Sequence, residues 1–395
     1  MIAGAVMTTA SAAGAQQPAD ADSASASQAR PWYQQLSLRG YAQFRYNRLL
    51  ETNPDLRCEQ CDRSIGRNGG FGFRRARLVL SGQVHPRVFV YIQPDMATEL
   101  GGQLHGLQIR DLYADVTLDE AGDFRVRIGQ SKVPWGWENL QSSSNRLPLD
   151  RNDAMNSAIP NERDMGIIAY WTPAAARERY DILTDSGLKG SSDYGVLGLG
   201  ALNGQTANRA EANDSRHLVA RINYPFRLPS GQFIELGVQG YRGDFVVQQR
   251  SSGVTGERAF LDERFAVSAV VFPQPFGIQA EWMTGRGPEF VPDERTIAVR
   301  SLEGGYVQAM FRTQVGGGTL IPYARAQRYD GGKKHELDAR RHSVRELEIG
   351  AEWLPMRALE LTAAYVFGDR TTSDGVTPND DQRGQFLRLQ AQVNY

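Results

Sequence analysis

Polar and apolar residues alternate along most of this chain with a period of two. In the last eleven residues, 385–395, Leu387, Leu389, Ala391, Val393 and Tyr395 share one face of an extended strand. The opposite face is mainly arginine, glutamine and asparagine. Because successive side chains of a strand point to opposite faces, this segment predicts a strand with one apolar and one polar side. A terminal aromatic residue on the apolar side is typical of the closing strand of a transmembrane β-barrel.

The same alternation recurs along the chain, and we interpret it as about sixteen strands, an even number as bacterial barrels prefer. A buried two-layer sandwich could alternate in a similar way, but its outer faces would rarely place aromatic residues so regularly at strand ends. We therefore predict an all-β fold, a transmembrane antiparallel β-barrel formed by residues 36–395. The predicted strands lie near residues 36–49, 71–84, 87–95, 106–118, 124–134, 164–172, 194–204, 217–226, 232–246, 260–272, 276–287, 301–313, 319–330, 341–354, 359–370 and 385–395.

The predicted connections alternate between short links and longer, polar, glycine-rich links, as the periplasmic turns and external loops of outer-membrane barrels do. One connection breaks this rule. Residues 173–193 should form a short turn, yet they are long. A helical turn at residues 174–179 and a hidden pair of strands both remain open for this segment.

The N-terminus and the overall composition are consistent with export. Residues 1–15 are small and apolar and predict a secretory signal peptide, with a start codon that lies further upstream as one possibility and a plain Ala-rich tail as the other. Residues 16–35 predict a disordered linker. The net charge of −1 gives no footprint for nucleic acid, and the mean hydropathy of −0.45 suits a barrel whose strands are half polar. We predict the outer membrane of a Gram-negative bacterium, with the lipid bilayer and lipopolysaccharide as surroundings.

Two cysteines, Cys58 and Cys61, lie in the first predicted external loop. Their spacing is compatible with a redox pair, with half of a zinc site, or with a local disulfide. In an exported protein without a second Cys/His pair nearby, the disulfide is the favoured interpretation.

Charged residues divide the predicted lumen into two walls when the apolar face is taken to contact lipid. Only four of the 44 basic residues are lysines, and arginine has a planar fork of donors suited to oxyanions. The basic wall contains Arg39, Arg45, Arg75, Arg77, Arg125, Arg127 and Arg388, which we predict to line the pore and guide anions. The acidic residues are Asp111, Asp115, Glu235, Glu281, Glu346, Glu348, Glu352 and Glu360. Mutual pairing of these charges across the lumen is the alternative interpretation.

The longest predicted connection, residues 135–163, joins strands 5 and 6, and its tryptophans and alternating charges indicate an ordered loop. Together with Phe-Arg-Arg-Ala-Arg-Leu at 73–78, Arg-Val-Arg-Ile-Gly-Gln at 125–130, the turn 132–138 and Asn-Glu-Arg-Asp at 161–164, it resembles the phosphate-selective porin O and P family over residues 36–395. The resemblance implies a sixteen-stranded homotrimeric porin in which this loop folds into the barrel. Ser142 and Ser143 match two hydroxyl donors of phosphate-specific members, whereas Asn139 replaces a lysine. The expected constriction residues are Ser142, Ser143, Ser144, Arg146, Arg151 and Arg163.

The expected function is a passive diffusion channel for small anionic or polar solutes, with a modest preference for anions such as phosphate and no cofactor. A structural or adhesive barrel without an open pore is the alternative. Catalysis is not expected, because no Gly-x-Ser-x-Gly elbow occurs and Ser215 with His217 is the nearest nucleophile–base pairing. No metal site is expected either. The acidic residues of the long loop, Asp150, Asp153, Glu162 and Asp164, could bind Ca²⁺ but more often pair with arginines.

Overall fold

The structure is a computed structural model that describes residues 31–58, 65–100 and 102–395. It is dominated by one antiparallel sheet in which each strand pairs with the next and the last pairs with the first. Segments β12 and β13 both pair with β14, so the 17 segments occupy sixteen positions of a closed barrel, as predicted. The strands are β1 (Leu36–Leu49), β2 (Phe71–His85), β3 (Val88–Leu100), β4 (Gln103–Thr117), β5 (Phe124–Lys132), β6 (Arg163–Trp171), β7 (Leu197–Leu202), β8 (His217–Arg227), β9 (Phe233–Val246), β10 (Ala259–Val271), β11 (Phe276–Val291), β12 (Thr296–Phe311), β13 (Thr313–Val315), β14 (Gly318–Gly332), β15 (Arg341–Met356), β16 (Leu359–Ser373) and β17 (Asp380–Asn394).

The barrel closes between β1 and β17, in register from Tyr41 opposite Asn394 to Leu49 opposite Leu387. Gly40 lies at this seam, where a Cβ atom would come within 2.5 Å of the Tyr395 ring. Glycine therefore lets the terminal aromatic ring pack against the backbone of β1. The closing role predicted for the C-terminal strand is confirmed.

Alternation places apolar side chains outside the barrel and polar ones inside it. On β8, for example, Leu218 and Ile222 are exposed on the outer face, while Arg221 and Asn223 are buried on the inner face. The outer face suits lipid, and the short turns with the chain ends mark the periplasmic side.

The external connections are shorter than predicted at two places. Strands β3 and β4 are separated by residues 101–102, and β11 and β12 by residues 292–295. The predicted long links there are wrong, because the strands continue above the membrane. On β11 and β12 the outward residues at this level, such as Arg286 and Glu303, are polar, so the apolar alternation that marks a strand is lost there.

The long periplasmic connection, residues 172–196, contains helix α3 (Ala174–Asp185) and no strand pair. The helix is longer than the single turn that the sequence suggested. Within the described residues, no helix combines the length and apolarity needed to cross a bilayer.

Three predictions, the signal peptide, the linker and the disulfide, fall wholly or partly outside the described residues. The signal peptide, residues 1–15, lies outside them, whereas Trp32–Gln35 at the end of the predicted linker form a 3-10 turn. Cys58 is disulfide-bonded and packs beside Leu56, Ile65, Val366 and Phe386. Cys61 is not among the described residues, so its pairing with Cys58 stays a prediction.

Candidate functional site

Residues 133–162, here called the inner loop, connect β5 to β6 and lie inside the barrel, as expected from the resemblance. They contain the short helices α1 (Trp137–Leu140) and α2 (Asp153–Ala158). The Asn152 side chain caps α2 by accepting the Met155 N–H at 2.9 Å. Trp135 is fully buried, with its ring 4.9 Å from that of Tyr241 on β9. The inner loop therefore packs against the inner face of the wall rather than crossing the lumen freely.

The acidic wall holds the first half of the inner loop. Glu281 on β11 accepts hydrogen bonds from the backbone N–H groups of Trp137 and Glu138. The Glu138 carboxylate in turn lies 3.0 Å from Arg325 on β14 and is fully buried. Glu281, which the sequence placed in the lumen, thus holds this loop in position.

Arginines of the opposite wall hold the second half. Asp150 lies 3.1 Å from Arg45 on β1 and 2.5 Å from Arg388 on β17. Asp153 lies 3.0 Å from Arg370 on β16 and 2.6 Å from Lys333. The acidic residues Asp150 and Asp153 are therefore ion-pair partners rather than metal ligands, and most of their partners come from the barrel wall.

The end of the inner loop forms a third ionic cluster. Glu162 lies 2.6 Å from Arg151 and 2.7 Å from Arg163, and Arg163 reaches Asp111 on β4 at 2.8 Å. Asp164 accepts backbone N–H groups of Met165 and Gly204. The described residues contain no group of three or more side chains suited to a metal ion.

Acid should release the inner loop from the wall. Burial acts to raise the pKa of Asp150 and of Glu162, but the guanidiniums of Arg388 and Arg45 around Asp150, and of Arg151 and Arg163 around Glu162, outweigh it and hold both pKa values low. Groups with a lowered folded-state pKa stabilise the fold above their unfolded pKa, and this stability is lost as pH falls through the folded value. We expect packing to be retained above about pH 5 and lost progressively below about pH 4. Tryptophan emission should report the change, since Trp135 and Trp137 are buried. An emission shift already complete at pH 6 would contradict this assignment.

The periplasmic connection also enters the lumen. Its Lys189 is buried and bonds to Glu352 on β15. The inner loop contacts the periplasmic connection directly. Gln141 donates to the Lys189 carbonyl at 2.7 Å, and Asn145 donates to the Gly190 carbonyl at 2.9 Å. Leu183 and Leu188 pack with Trp137 in one apolar cluster. Two inserted segments, stacked on each other, therefore fill the part of the lumen next to β9–β15.

Five of the predicted pore-lining arginines are held by carboxylates beside them. Arg77 lies 2.8 Å from Asp95, Arg127 lies 2.7 Å from Asp115, and Arg125 lies 2.6 Å from Asp193. Arg45 and Arg388 share Asp150, as described above. Pairing of luminal charges, the alternative interpretation, thus accounts for Arg45, Arg77, Arg125, Arg127 and Arg388.

Three of the predicted site arginines, Arg39, Arg75 and Arg146, lack a carboxylate within ion-pair distance among the described residues. Arg75 on β2 is 5 % exposed and donates to Gln43 at 2.8 Å, while its Nε finds no partner. Arg146 of the inner loop donates only to the Leu149 carbonyl, and burial together with the nearby Arg151 lowers the pKa of Arg146. The strongest electrostatic neighbours of Arg75 are other guanidiniums, including that of Arg146. Arg39 is exposed near the periplasmic end of β1 and donates to Ser81.

Arg39 and Arg75 lie on the wall formed by β1 and β2, and Arg146 of the inner loop is an electrostatic neighbour of Arg75. Arg39 and Arg75 lie four positions apart in the β1–β2 register, which corresponds to about 13 Å. Along the same wall the inward residues Tyr91 and Tyr113 are partly exposed. Water therefore reaches the side of the lumen that the two inserted segments leave uncovered.

The predicted serines lie at the turn of the inner loop that meets this wall. The Ser142 and Ser144 hydroxyls are 2.8 Å apart, and the Ser143 carbonyl accepts from Gln43, the partner of Arg75. Ser143 Oγ also lies 3.5 Å from Arg151. Asn139 is buried within the loop and donates to the Met155 carbonyl, so it does not face the water-filled side.

The residues that sequence reasoning missed are Lys189, Arg74 and Arg110. Lys189 gave no signal because its partner Glu352 is far away in the chain. Arg74 and Arg110 stand where the strand registers β1–β2 and β3–β4 shift, so simple alternation misplaces them. Pro94, which cannot donate a backbone hydrogen bond, was the available signal for an irregular strand.

The fold and the site together define a transmembrane β-barrel channel with an inward-folded loop. The chain belongs to the family described as phosphate-selective porin O and P, whose model matches residues 53–395. It is accordingly an outer-membrane porin of a Gram-negative bacterium.

Solved porin structures share the fold at low sequence identity. The outer-membrane channel DcaP of Acinetobacter baumannii is 14 % identical, with 91 % of this chain and 97 % of that chain covered and a TM-score of 0.53. OmpF of Salmonella typhi, solved with daunomycin, is 12 % identical over 91 % and 97 % of the two chains, with a TM-score of 0.54. An anion-selective porin from Comamonas acidovorans is 11 % identical over 91 % and 99 %, with a TM-score of 0.54. No curated protein matches the sequence.

The family and the fold indicate a channel rather than an enzyme. The nearest nucleophile–base pairing is not assembled, since the Ser215 hydroxyl bonds to Asp244 and the His217 ring stacks on Tyr241 at 5.9 Å.

Proposed function

We propose that this porin is a passive diffusion channel with a modest preference for small anions. The observation that carries the proposal is the group of arginines Arg39, Arg75 and Arg146, which have no carboxylate within ion-pair distance among the described residues. Guanidiniums without countercharge attract anions, and their field acts strongly in a narrow lumen. Successive guanidiniums can pass an oxyanion from one bidentate site to the next.

The proposed selective region lies where Arg75 and Arg146 approach the inner-loop turn with Ser143. Arg151 stands nearby but is engaged by Glu162. Phosphate and related oxyanions fit a site built from guanidiniums and a hydroxyl. Because Asn139 is buried in the loop rather than facing this region, we propose a general preference for anions instead of strict phosphate specificity.

Single-channel recording tests the channel itself. The purified protein in a planar bilayer should give discrete conductance steps. The alternative, a structural barrel, is favoured by one observation, namely that two inserted segments fill much of the lumen. A protein that inserts and remains heat-modifiable, yet gives no steps, would support that alternative.

We also propose a homotrimer, which the family implies and which the broad apolar outer wall would permit. Gentle detergent extraction followed by light scattering should give the mass of three chains, dissociating to one chain on heating. A monomer under every mild extraction condition would contradict this assembly.

A further inference from the structure

The barrel wall is split between β2 and β3 on its extracellular side. Pairing of the two strands runs from His85 opposite Val88 up to Arg77 opposite Asp95, and no further pair joins them among the described residues. Above that level β2 continues to pair with β1, and β3 with β4. The described parts of the two strands therefore separate and leave a lateral cleft.

Local chemistry explains where the split begins. Pro94 cannot donate to a ladder, and the β3–β4 register shifts on both sides of Asp95. The Asp95 carboxylate then accepts the Ala76 and Ala97 N–H groups at 3.2 and 3.1 Å, so side-chain hydrogen bonds replace strand pairing at the foot of the cleft. Asp95 also lies 2.8 Å from Arg77. The split is thus a stabilised feature of the wall.

The cleft joins two different environments. At its outer rim Phe71, Phe73 and Phe44 are 73 %, 51 % and 40 % exposed, and the Phe44 ring lies 5.5 Å from Phe71 and 5.7 Å from Phe73. On its luminal side lie Arg74, Arg75 and Arg110. One continuous cavity of about 900 Å³ contains both groups, a size typical of small-molecule sites.

The cavity has an excess of positive charge. Six arginines and four carboxylates line it. Two of these carboxylates are already shared: Asp150 lies within ion-pair distance of three arginines and Glu162 of two. Arg75 is nine-tenths buried and lacks an ion-pair partner in the described part of the chain, and its Nε has no hydrogen-bond acceptor. A guanidinium that lines a cavity and has no ion-pair partner is suited to a ligand oxyanion.

We propose that this cleft binds an amphipathic organic anion, with its oxyanion head on Arg75 and its apolar ring or chain on Phe71 and Phe73. The site shares Arg75 with the proposed selective region of the lumen, but it differs from that region because it opens through the wall and requires the outer aromatic residues. Arg146, which belongs to the selective region, does not line the cleft. An anion carrying an apolar body could arrive as a free solute or as the phosphorylated headgroup of an outer-leaflet lipid.

Calorimetric titration of the oligomer, as purified in mild detergent, with naphthalene-2-sulfonate tests the proposal. We expect one site per chain, with methanesulfonate, which lacks the ring, binding at least about ten-fold more weakly. The Arg75→Gln variant should bind the probe roughly ten-fold more weakly, because a charge-assisted hydrogen bond is lost. Gly72→Trp should abolish binding by filling the cavity, since a Cβ atom at Gly72 meets nothing within 4 Å.

Matched variants separate this site from the pore. The double variant Phe71→Ala with Phe73→Ala should bind the probe more weakly and keep its ion selectivity. The variant Arg146→Gln should change ion selectivity and keep its affinity for the probe. Mass spectrometry of lipopolysaccharide that remains bound after purification identifies the source of the ligand. If the parent protein retains lipopolysaccharide and Gly72→Trp does not, the ligand is a lipid headgroup. If the parent protein binds the probe but retains no lipopolysaccharide, the ligand is a free solute. Probe affinity unaffected by both Arg75→Gln and Gly72→Trp would overturn the proposal. Binding seen only after the oligomer dissociates would also overturn it, because a neighbouring chain would then cover the cleft.

Discussion

Replacing Arg75 and Arg146 together by glutamine is expected to remove the anion preference and to shift the reversal potential in a salt gradient toward that of a cation-preferring pore. Both guanidiniums lack carboxylate partners in the described residues, so their removal subtracts positive charge without leaving an unpaired acid behind. The remaining arginines of the same wall, such as Arg77 and Arg127, are already neutralised by Asp95 and Asp115. The expected shift in reversal potential is therefore larger than the removal of two out of many luminal charges would otherwise produce.

The matched control is Arg345→Gln. Arg345 is exposed on the outer face of β15, so this substitution removes the same charge from outside the pore. It should leave the reversal potential unchanged. Equal shifts in the control and in the double variant would mean that selectivity reflects overall charge rather than the luminal arginines.

Shortening the periplasmic connection is expected to raise single-channel conductance about two-fold or more, since sixteen-stranded barrels otherwise enclose an aqueous channel. The change replaces residues 174–190 by a short Gly/Ser turn and keeps Asp193, the partner of Arg125. It removes the helix and Lys189, which occupy the periplasmic half of the lumen next to β15. The measurement is conductance in planar bilayers at one salt concentration.

The control for this deletion keeps the segment and removes only its buried ion pair. Lys189→Met with Glu352→Leu replaces two charges by apolar groups of similar size, an exchange that is often close to neutral for stability. The conductance of this double variant should then be closer to that of the parent protein than to that of the deletion variant. A deletion variant with unchanged conductance would show that ions pass only along the β1–β4 wall, beyond the reach of this segment.

How far sequence predicts this fold depends on what surrounds each strand. Lipid on one side and water on the other force a period of two, so β8 and β9 could be placed within about a residue from alternation alone. Above the membrane that constraint ends, and the outer parts of β11 and β12 were interpreted as loop. Helix α3 was difficult to predict, because its buried residues pack against the inner loop and the inside of the barrel wall rather than against lipid.

The site was predictable as a set of residues but not as a set of contacts. Alternation indicated that Arg45, Arg75 and Arg127 face the lumen. It could not indicate which of them are neutralised, because the decisive partners are distant in the chain: Arg45 binds Asp150 and Arg370 binds Asp153. Only the folded arrangement distinguishes Arg75, which lacks a carboxylate, from Arg127, which has one.

The reversal potential of the unmodified protein in a potassium chloride gradient tests the central claim most directly. A potential with the sign of chloride preference, reduced at high ionic strength as the fields of Arg39, Arg75 and Arg146 are screened, is the result we predict. A potential with the sign of potassium preference would contradict an anion-preferring channel governed by these arginines.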